Sequence, residues 1–293
     1  MKLGLCHDNT IRDNGTARHC FDALKAIGPA AGVEVDHFLP REIWPKRDWY
    51  LWIDDGRDDM RMVPPRPWAY YAIDTHLGWA YRAWKAGQAD LVFCAQKNAV
   101  EEFERDGIKA VWIPLACDPS IHLNAEEFLA RGLKPEEVDK RYDIAFVGYV
   151  RDDTGLGFNN RVDYLDRIFR EVPSFWFAAN RFWEEMALRY VRARVGLNIS
   201  IRDDLNMRIW EIMSTGTPCL SNHDVAGIDD LLEAGTHYIA FEGPDEMVER
   251  SKWMLGQGPE YLDSLGRIGM TEVRNRHTYR NRMATVLEVI SRV

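Results

Sequence analysis

The 293-residue sequence is poor in cysteine and has no CxxC pair. Its cysteines are Cys6, Cys20, Cys94, Cys117 and Cys219. An odd number of scattered cysteines predicts buried thiols, and it argues against a disulfide framework or a zinc finger. No apolar run reaches membrane-spanning length, and the stretch MKLGLCHDNT has too few apolar residues for a signal peptide. These absences predict a soluble, cytoplasmic protein.

Several common catalytic motifs are also missing. The sequence has no Walker A, HExxH or GxSxG motif, which argues against P-loop NTPases, zinc proteases and α/β-hydrolases. The nearest match to the dinucleotide fingerprint GxGxxG is GLGFNN (155–160), which lacks the third glycine. The formal charge of −9 gives no electrostatic reason to expect nucleic acid or an anionic membrane as partner. The remaining indicators of fold and function are the order of strands and helices along the chain and a few clusters of polar residues.

Short apolar runs alternate with amphipathic helical segments along the chain. The first half has six such runs, from MKLGLC to AVWIPLACDP, and the pattern restarts at YDIAFVGYV after a charge-rich interval at 133–143. This alternation is typical of βαβ units and parallel sheets. We therefore expect an α/β protein of two Rossmann-like domains, with parallel sheets facing a central cleft. The predicted boundaries are 1–138 and 139–270, followed by a final helix at 271–293.

One helix–turn–strand stretch, NMRIWEIMSTGTPCLSN (206–222), combines an amide, a guanidinium and a carboxylate. These are Asn206, Arg208 and Glu211, and the last two share a helix face because they are three residues apart. The helix N-terminus suits an anion such as a diphosphate, and Arg208 would add donors to it. Glu211 would accept hydrogen bonds from ribose hydroxyls. The alternative is a capped helix with a surface ion pair between Arg208 and Glu211.

The run RIWEIMSTGTP (208–218) resembles the donor-binding signature of GT-B glycosyltransferases, in particular the branch related to the CgeB spore-maturation proteins. FVGYVRDD (146–153) and RHTYRNR (276–282) are similar to further elements of that family, the second of which usually crosses back to the first domain. The resemblance implies that Glu211 holds the ribose of a nucleotide sugar and that Arg151 or Arg161 binds phosphate. The donor-site residues implied are Gly148, Arg151, Asn198, Asn206, Arg208, Glu211, Gly216 and Thr217.

Polar residues at the ends of the first-half strands are the acceptor-side candidates. Asp74 and His76 end the predicted fourth strand, where residues two apart face the same way. We predict them as the catalytic residues, with Asp74 as base or orienting group and His76 on the acceptor or the sugar hydroxyls. A loop pair with ordinary hydrogen bonds is the alternative. Further acceptor-side candidates are Asp8, Gly15, Thr16 and Asp54.

Aromatic residues are concentrated in one part of the first half. Six of the eleven tryptophans lie between Trp44 and Trp84, interleaved with tyrosines. Aromatic rings stack on sugars and nucleobases, but they also fill cores. We expect core or interdomain packing here, with shaping of the acceptor side as the alternative.

The resemblance implies a glycosyltransferase that moves a sugar from a nucleotide-diphosphate sugar to an unknown acceptor, with retention at the anomeric carbon. No cofactor and no metal are predicted, because the nucleotide sugar is a co-substrate and Cys6-His7 and His19-Cys20 match no zinc spacing. The acceptor classes left open are a small molecule, a glycan, a protein and, with less support, modified DNA. The alternatives are a nucleotide-sugar hydrolase or epimerase of the same fold, and a non-catalytic nucleotide-sugar-binding protein.

Overall fold

The apolar runs of the sequence form two sheets in which every strand pair is parallel. This computed structural model describes residues 1–10, 14–54, 62–150 and 159–293. The predicted α/β class with two parallel sheets is confirmed. Among the described helices, none combines the length and the hydropathy that a membrane crossing requires.

The strands and helices follow the predicted alternation. The strands are β1 (Lys2–Cys6), β2 (Glu34–Phe38), β3 (Trp49–Ile53), β4 (Trp68–Ala72), β5 (Leu91–Cys94), β6 (Ala110–Trp112), β7 (Tyr142–Val147), β8 (Phe175–Ala178), β9 (Ala193–Asn198), β10 (Cys219–Asn222) and β11 (Ile239–Phe241). The helices are α1 (Thr16–Ile27), α2 (Trp79–Ala86), α3 (Lys97–Arg105), α4 (Ala125–Ala130), α5 (Pro135–Val138), α6 (Asn159–Glu171), α7 (Trp183–Val191), α8 (Met207–Ser214), α9 (Gly243–Gly256), α10 (Pro259–Arg276) and α11 (Tyr279–Ser291). Short 3-10 turns lie at Pro29–Ala31 and Thr75–Leu77.

The chain divides into two compact units. The first unit contains Met1–Leu115 and Tyr279–Val293, and the second unit contains Ala116–Thr278. These compact units are defined by contacts within the chain. The expected boundary between an acceptor-side domain and a donor-binding domain after residue 138 stays a prediction. The charge-rich interval at 133–143 contains α5, whose Val138 packs with Phe128 of α4 and Val191 of α7 in a small hydrophobic cluster of the second unit.

The first unit is built on a sheet in the order β2-β1-β3-β4-β5-β6. All five residues of β4 are buried, as expected for a strand covered on both faces. Its core includes Trp52, Trp68 and Tyr70, each at most 1% exposed, so packing explains much of the aromatic cluster. The terminal helix α11 belongs to this unit: the Tyr279 ring stacks on His19 of α1 with centroids 5.0 Å apart.

The second unit is built on a sheet in the order β11-β10-β9-β7-β8. β7 is followed in the chain by its neighbour β8, whereas β9, β10 and β11 continue on the other side of β7. The connections therefore leave β7 and β9 in opposite directions. In open parallel sheets this reversal opens a crevice beyond the carboxyl ends of the two strands. Val147 and Asn198 are the last residues of β7 and β9.

Candidate functional site

The end of β9 leads through a strained loop into helix α8. Arg202 and Asp203 have positive φ angles of 49° and 60°, a conformation that non-glycine residues rarely adopt. Asn206 then caps the helix, because its side-chain oxygen accepts the backbone N–H of Arg208 at 3.0 Å. This sharp turn aims the N-terminus of α8 at the carboxyl end of the sheet.

Arg208 turns away from solvent and lies across the ends of β7 and β9. Its Nε donates to the carbonyl of Val147, and its Nη1 donates to Oδ1 of Asn198 at 3.1 Å. The guanidinium carbon lies 4.6 Å from the ring centroid of Phe146. Gly148 makes this position available, since a Cβ there would lie only 2.4 Å from Nη2 of Arg208. The guanidinium is thus fixed by both β7 and β9, the two strands whose connections leave in opposite directions and so form the switch point of the sheet.

A second guanidinium, from Arg161 of α6, also lies at the carboxyl ends of β7 and β9. Its Nε donates to the carbonyl of Ile199 at 2.9 Å, and its Nη1 donates to the carbonyl of Tyr149 at 3.0 Å. Its guanidinium carbon lies 6.0 Å from the centroid of the same Phe146 ring. Burial, and then the positive charge of Arg208, hold the pKa of Arg161 well below its ordinary value.

These two cations have no carboxylate partner in ion-pair contact among the residues that the structure describes. Asp204 offsets the depression of the Arg161 pKa only in part. Holding two like charges together in a partly desolvated place is unfavourable unless an anion joins them. The geometry therefore favours binding of an anion at the ends of β7 and β9.

A network of side-chain amides and hydroxyls borders the two guanidiniums. Asn198 Nδ2 donates to Ser221 Oγ at 3.0 Å, and Asn206 Nδ2 donates to Ser200 Oγ at 2.8 Å. The backbone N–H of Ser200 donates to Oδ1 of Asn222 at 2.7 Å. These bonds join the ends of β9 and β10 to the helix cap. The predicted residues Gly148, Asn198, Asn206 and Arg208 are thus brought together.

Glu211 lies one turn further along α8 and is buried, with a 9% exposed side chain. Its Oε1 lies 3.7 Å from Nε2 of His122. The surface ion pair between Arg208 and Glu211 is not formed in the described structure, because Arg208 donates to the strand ends. The carboxylate and the guanidinium therefore act separately.

Two predicted donor-site residues lie at the other end of α8. Gly216 follows the helix with a φ of 75°, the left-handed conformation expected of it. Thr217 is buried, and its hydroxyl donates to the carbonyl of Tyr190 at 2.8 Å. Eight helical residues separate the two ends of α8 by about 12 Å, so the structure does not bring this pair to Arg208. Their role in donor binding stays a prediction, and Arg151 lies outside the described residues.

In the first unit, the chain reverses direction across the sheet between β1 and β3. Asp8 follows β1 and forms a turn in which its Oδ1 accepts the backbone N–H of Thr10 at 3.0 Å. Gly15 is the extended residue before α1, and Thr16 is the first, buried residue of that helix. Asp54 follows β3. Asp8 and Asp54 thus stand at the switch point of their own sheet.

Asp54 is the most deeply buried of these candidates. Its Oδ2 lies 2.6 Å from Nε of Arg82 and accepts the hydroxyl of Tyr70 at 2.9 Å. Burial raises the pKa of Asp54, and the opposing effect of Arg82 does not cancel the rise. Arg82 was not predicted, since nothing in WAYRAWKA marks one residue as a partner for a distant aspartate. The local role of Asp54 is therefore to hold α2 against the end of the sheet.

Asp74 and His76 do not end a strand. β4 ends at Ala72, Asp74 has a left-handed φ of 53°, and His76 lies in the 3-10 turn at Thr75–Leu77. The expected alignment two apart on a strand is wrong, because the left-handed residue interrupts the extended chain. Gln96 fixes the turn by accepting the hydroxyl of Thr75 at 3.2 Å. The catalytic role of both residues stays a prediction.

Comparison with known proteins bears on the whole chain. Residues 158–288 match the family model described as "Glycosyl transferase-like". The search of curated proteins found no match. Among solved structures, the chain is similar to the sucrose-phosphate synthase of Thermosynechococcus elongatus, with 13% identity, a TM-score of 0.66, and coverage of 100% of this chain and 98% of that chain.

Two further structures carry nucleotide ligands. Anabaena Alr3699/HepE, in complex with UDP and glucose, shares 10% identity at a TM-score of 0.68, with full coverage of both chains. An alpha-glucosyltransferase in complex with UDP-glucose and DNA containing an abasic site shares 10% identity at a TM-score of 0.64, with 99% of this chain and 98% of that chain covered. The chain has the GT-B fold, and most of the residues that match the glycosyl transferase-like family model lie in its second unit. The predicted enzyme class, a glycosyltransferase, is confirmed at this level.

Proposed function

We propose that the protein transfers a sugar, with retention, from a nucleotide-diphosphate sugar to an acceptor, and that the second unit binds the donor. The observation that carries this proposal is the pair of guanidiniums of Arg161 and Arg208 at the ends of β7 and β9. They lie beside Gly148 and have no carboxylate partner among the described residues. A diphosphate is an anion of the right kind for two such donors.

The same arrangement supports catalysis as well as binding. When the glycosidic bond to the donor breaks, negative charge develops on the departing nucleoside diphosphate. Positive groups that are already in place stabilise this charge without having to reorganise. Arg208 is held by bonds to both strands, and the N-terminus of α8 adds its dipole. In this proposal these groups take the place of a metal ion.

Glu211 is proposed to bind the ribose. A carboxylate one turn inside α8 is suited to accept hydrogen bonds from the two ribose hydroxyls, while the diphosphate contacts the start of the helix. UDP-glucose is the first donor to test, because two similar structures contain UDP with glucose or UDP-glucose. The motif similarity around Arg208 supports placing the protein in the CgeB-related branch.

The first unit is proposed to contribute the acceptor side, with Asp74 and His76 as the catalytic residues. The acceptor class stays open among small molecules, glycans, proteins and modified DNA. One similar glucosyltransferase structure is a complex with DNA, whereas the charge of −9 argues against a nucleic-acid acceptor here. We also propose a reducing, cytoplasmic setting, which the five buried cysteine thiols support.

The test is calorimetric binding of a panel of UDP-, GDP-, ADP- and TDP-sugars to the wild type and to single variants. Arg208→Gln and Arg161→Gln should each weaken binding of the preferred donor by about 10- to 100-fold, the range for a charge-assisted hydrogen bond. Arg170→Gln is the matched control. Arg170 lies on α6 like Arg161, is exposed, and pairs with Asp166 one turn away.

The proposal is contradicted if Arg208→Gln, Arg161→Gln and Arg170→Gln lose the same factor of donor affinity, or if the wild type binds no donor. Incubation of the wild type with donor alone then separates the alternatives. Sugar release without acceptor would favour a hydrolase. Donor binding without turnover in any acceptor screen would favour a binding protein.

A further inference from the structure

A buried histidine stands behind the proposed ribose-binding carboxylate. His122 is 0% exposed and lies in the turn before α4. Its Nε2 is 3.7 Å from Oε1 of Glu211. The two residues are 89 positions apart in sequence, so no local motif links them. The approach of an imidazole to a buried carboxylate is a product of the tertiary fold.

The tautomer of this imidazole follows from its other nitrogen. Nδ1 of His122 accepts the backbone N–H of Asp118 at 3.0 Å. A nitrogen that accepts a hydrogen bond carries no proton, so in the neutral ring the hydrogen is on Nε2. We assign that tautomer, which directs an N–H group at the carboxylate of Glu211.

The position of His122 is also fixed through its backbone carbonyl, which accepts two hydrogen bonds. Its carbonyl accepts the hydroxyl of Ser214, on α8, at 3.1 Å and Nη2 of Arg274, on α10, at 3.1 Å. Arg274 is itself held by two bonds of 2.7 Å to the carboxylate of Glu127. Because Ser214 belongs to the same helix as Glu211, the imidazole and the carboxylate are positioned relative to each other through α8.

We propose that His122 is a positioning residue for donor recognition. It holds one oxygen of the Glu211 carboxylate through the Nε2–H group and leaves the other oxygen directed at the ribose hydroxyls. The separation of 3.7 Å shortens to a hydrogen bond when the ribose orders the carboxylate, as often happens on formation of a substrate complex. This inference rests on the proposed function, since it takes Glu211 as the ribose-binding group.

The measurement is the ratio of the dissociation constants of a 2′-deoxyribonucleoside diphosphate and its ribonucleoside counterpart, with dUDP and UDP as the first pair. If the donor panel shows another preferred base, the corresponding pair is used. The wild type should prefer the ribonucleotide by about tenfold or more, because a hydrogen bond to a charged carboxylate is lost in the deoxy compound. A residue with a purely structural role would weaken both ligands and leave the ratio unchanged.

Two variants with side chains of similar size test the contribution of the Nε2–H hydrogen-bond donor of His122. His122→Gln keeps an N–H donor at the end of an unbranched side chain, and His122→Met removes it. We expect the preference to stay within about twofold of wild type in His122→Gln and to fall at least about threefold in His122→Met. His237→Met is the matched control. His237 makes the same local bond, from the N–H of Glu233 to its Nδ1 at 2.9 Å, but in a different loop.

The outcomes separate this inference from the function on which it rests. If Glu211→Gln keeps the preference for ribose, or the wild type has none, the assignment of Glu211 fails. If Glu211→Gln loses the preference but His122→Met keeps it, only the positioning role of His122 is overturned. Should His122→Met fail to fold, nitrogen NMR of the wild type decides, because a ring protonated at Nδ1 contradicts the mechanism.

Discussion

Gly148 is the position at which the smallest possible change should disturb the proposed diphosphate site. A Cβ at this residue would lie 2.4 Å from Nη2 and 2.9 Å from Cζ of Arg208, where an ordinary contact begins at 3.4 Å. In Gly148→Ala the guanidinium must therefore retreat by about 1 Å, and a misplacement of this size at a charged site costs up to about 100-fold in function. We expect UDP or the preferred nucleoside diphosphate to bind about 10- to 100-fold more weakly.

The assay compares two ligands that differ only in their phosphates. The nucleoside without phosphates should bind Gly148→Ala about as well as wild type, since its proposed contacts lie at Glu211. The added methyl group also meets the tip of the Phe146 ring at 2.9 Å, so a loss of stability of about 1 kcal/mol or somewhat more is expected and is measured by urea denaturation.

Gly256→Ala serves as the control, because a Cβ there meets no described atom within 4 Å apart from its own helix backbone. The reasoning is refuted if Gly148→Ala is folded and binds the diphosphate with wild-type affinity. It is refuted equally if nucleoside and nucleoside diphosphate lose the same factor, since the methyl group would then act by general loosening of the second unit.

Two further predictions concern the supports of α8. In Gly266→Ala, the new Cβ would lie 2.1 Å from the carbonyl oxygen of Gly216, so urea denaturation should show a loss of about 1–3 kcal/mol; wild-type stability would contradict the contact. For Glu127, burial opposes ionisation, but hydrogen bonds from Arg274 and the Asn124 backbone outweigh it and lower the pKa below the ordinary 4.5. A lowered pKa stabilises the fold above 4.5, and this effect is lost as the pH falls from 4.5 through the lowered pKa. The stability advantage of wild type over Glu127→Gln should therefore shrink below pH 4.5, and a constant difference would contradict it.

Most of the strands were predictable from sequence because they are short apolar runs followed by polar residues or a glycine. β4 and β7 are examples, with continuous apolar stretches that a doubly covered parallel sheet requires. The sequence offers Asp203, Asp204 and Asn206 as possible caps of α8, and the structure has the cap at Asn206. The left-handed end of the helix at Gly216 agrees with expectation, because that conformation favours glycine.

Other parts of the site depended on contacts that no local pattern contains. His122 and Arg82 act on carboxylates far away in sequence, and their own surroundings in the chain carry no motif. The placement of Asp74 on a strand is wrong because Asp74 has a left-handed conformation, and the periodicity of the sequence does not report backbone angles. The separation of Gly216 and Thr217 from Arg208 was also not evident from the motif, because closeness in sequence does not give distance along a helix. Neighbours in a signature can stand at opposite ends of a helix.

The pairing of α11 with α1 has a consequence for biosynthesis. The first unit is discontinuous, and its last component is Tyr279–Val293. While the ribosome is still translating, residues 1–115 are available early but lack the helix that stacks on His19. The second unit, by contrast, is one uninterrupted stretch of chain. Maturation of the nascent polypeptide is thus expected to proceed with the later-translated unit complete before the earlier one.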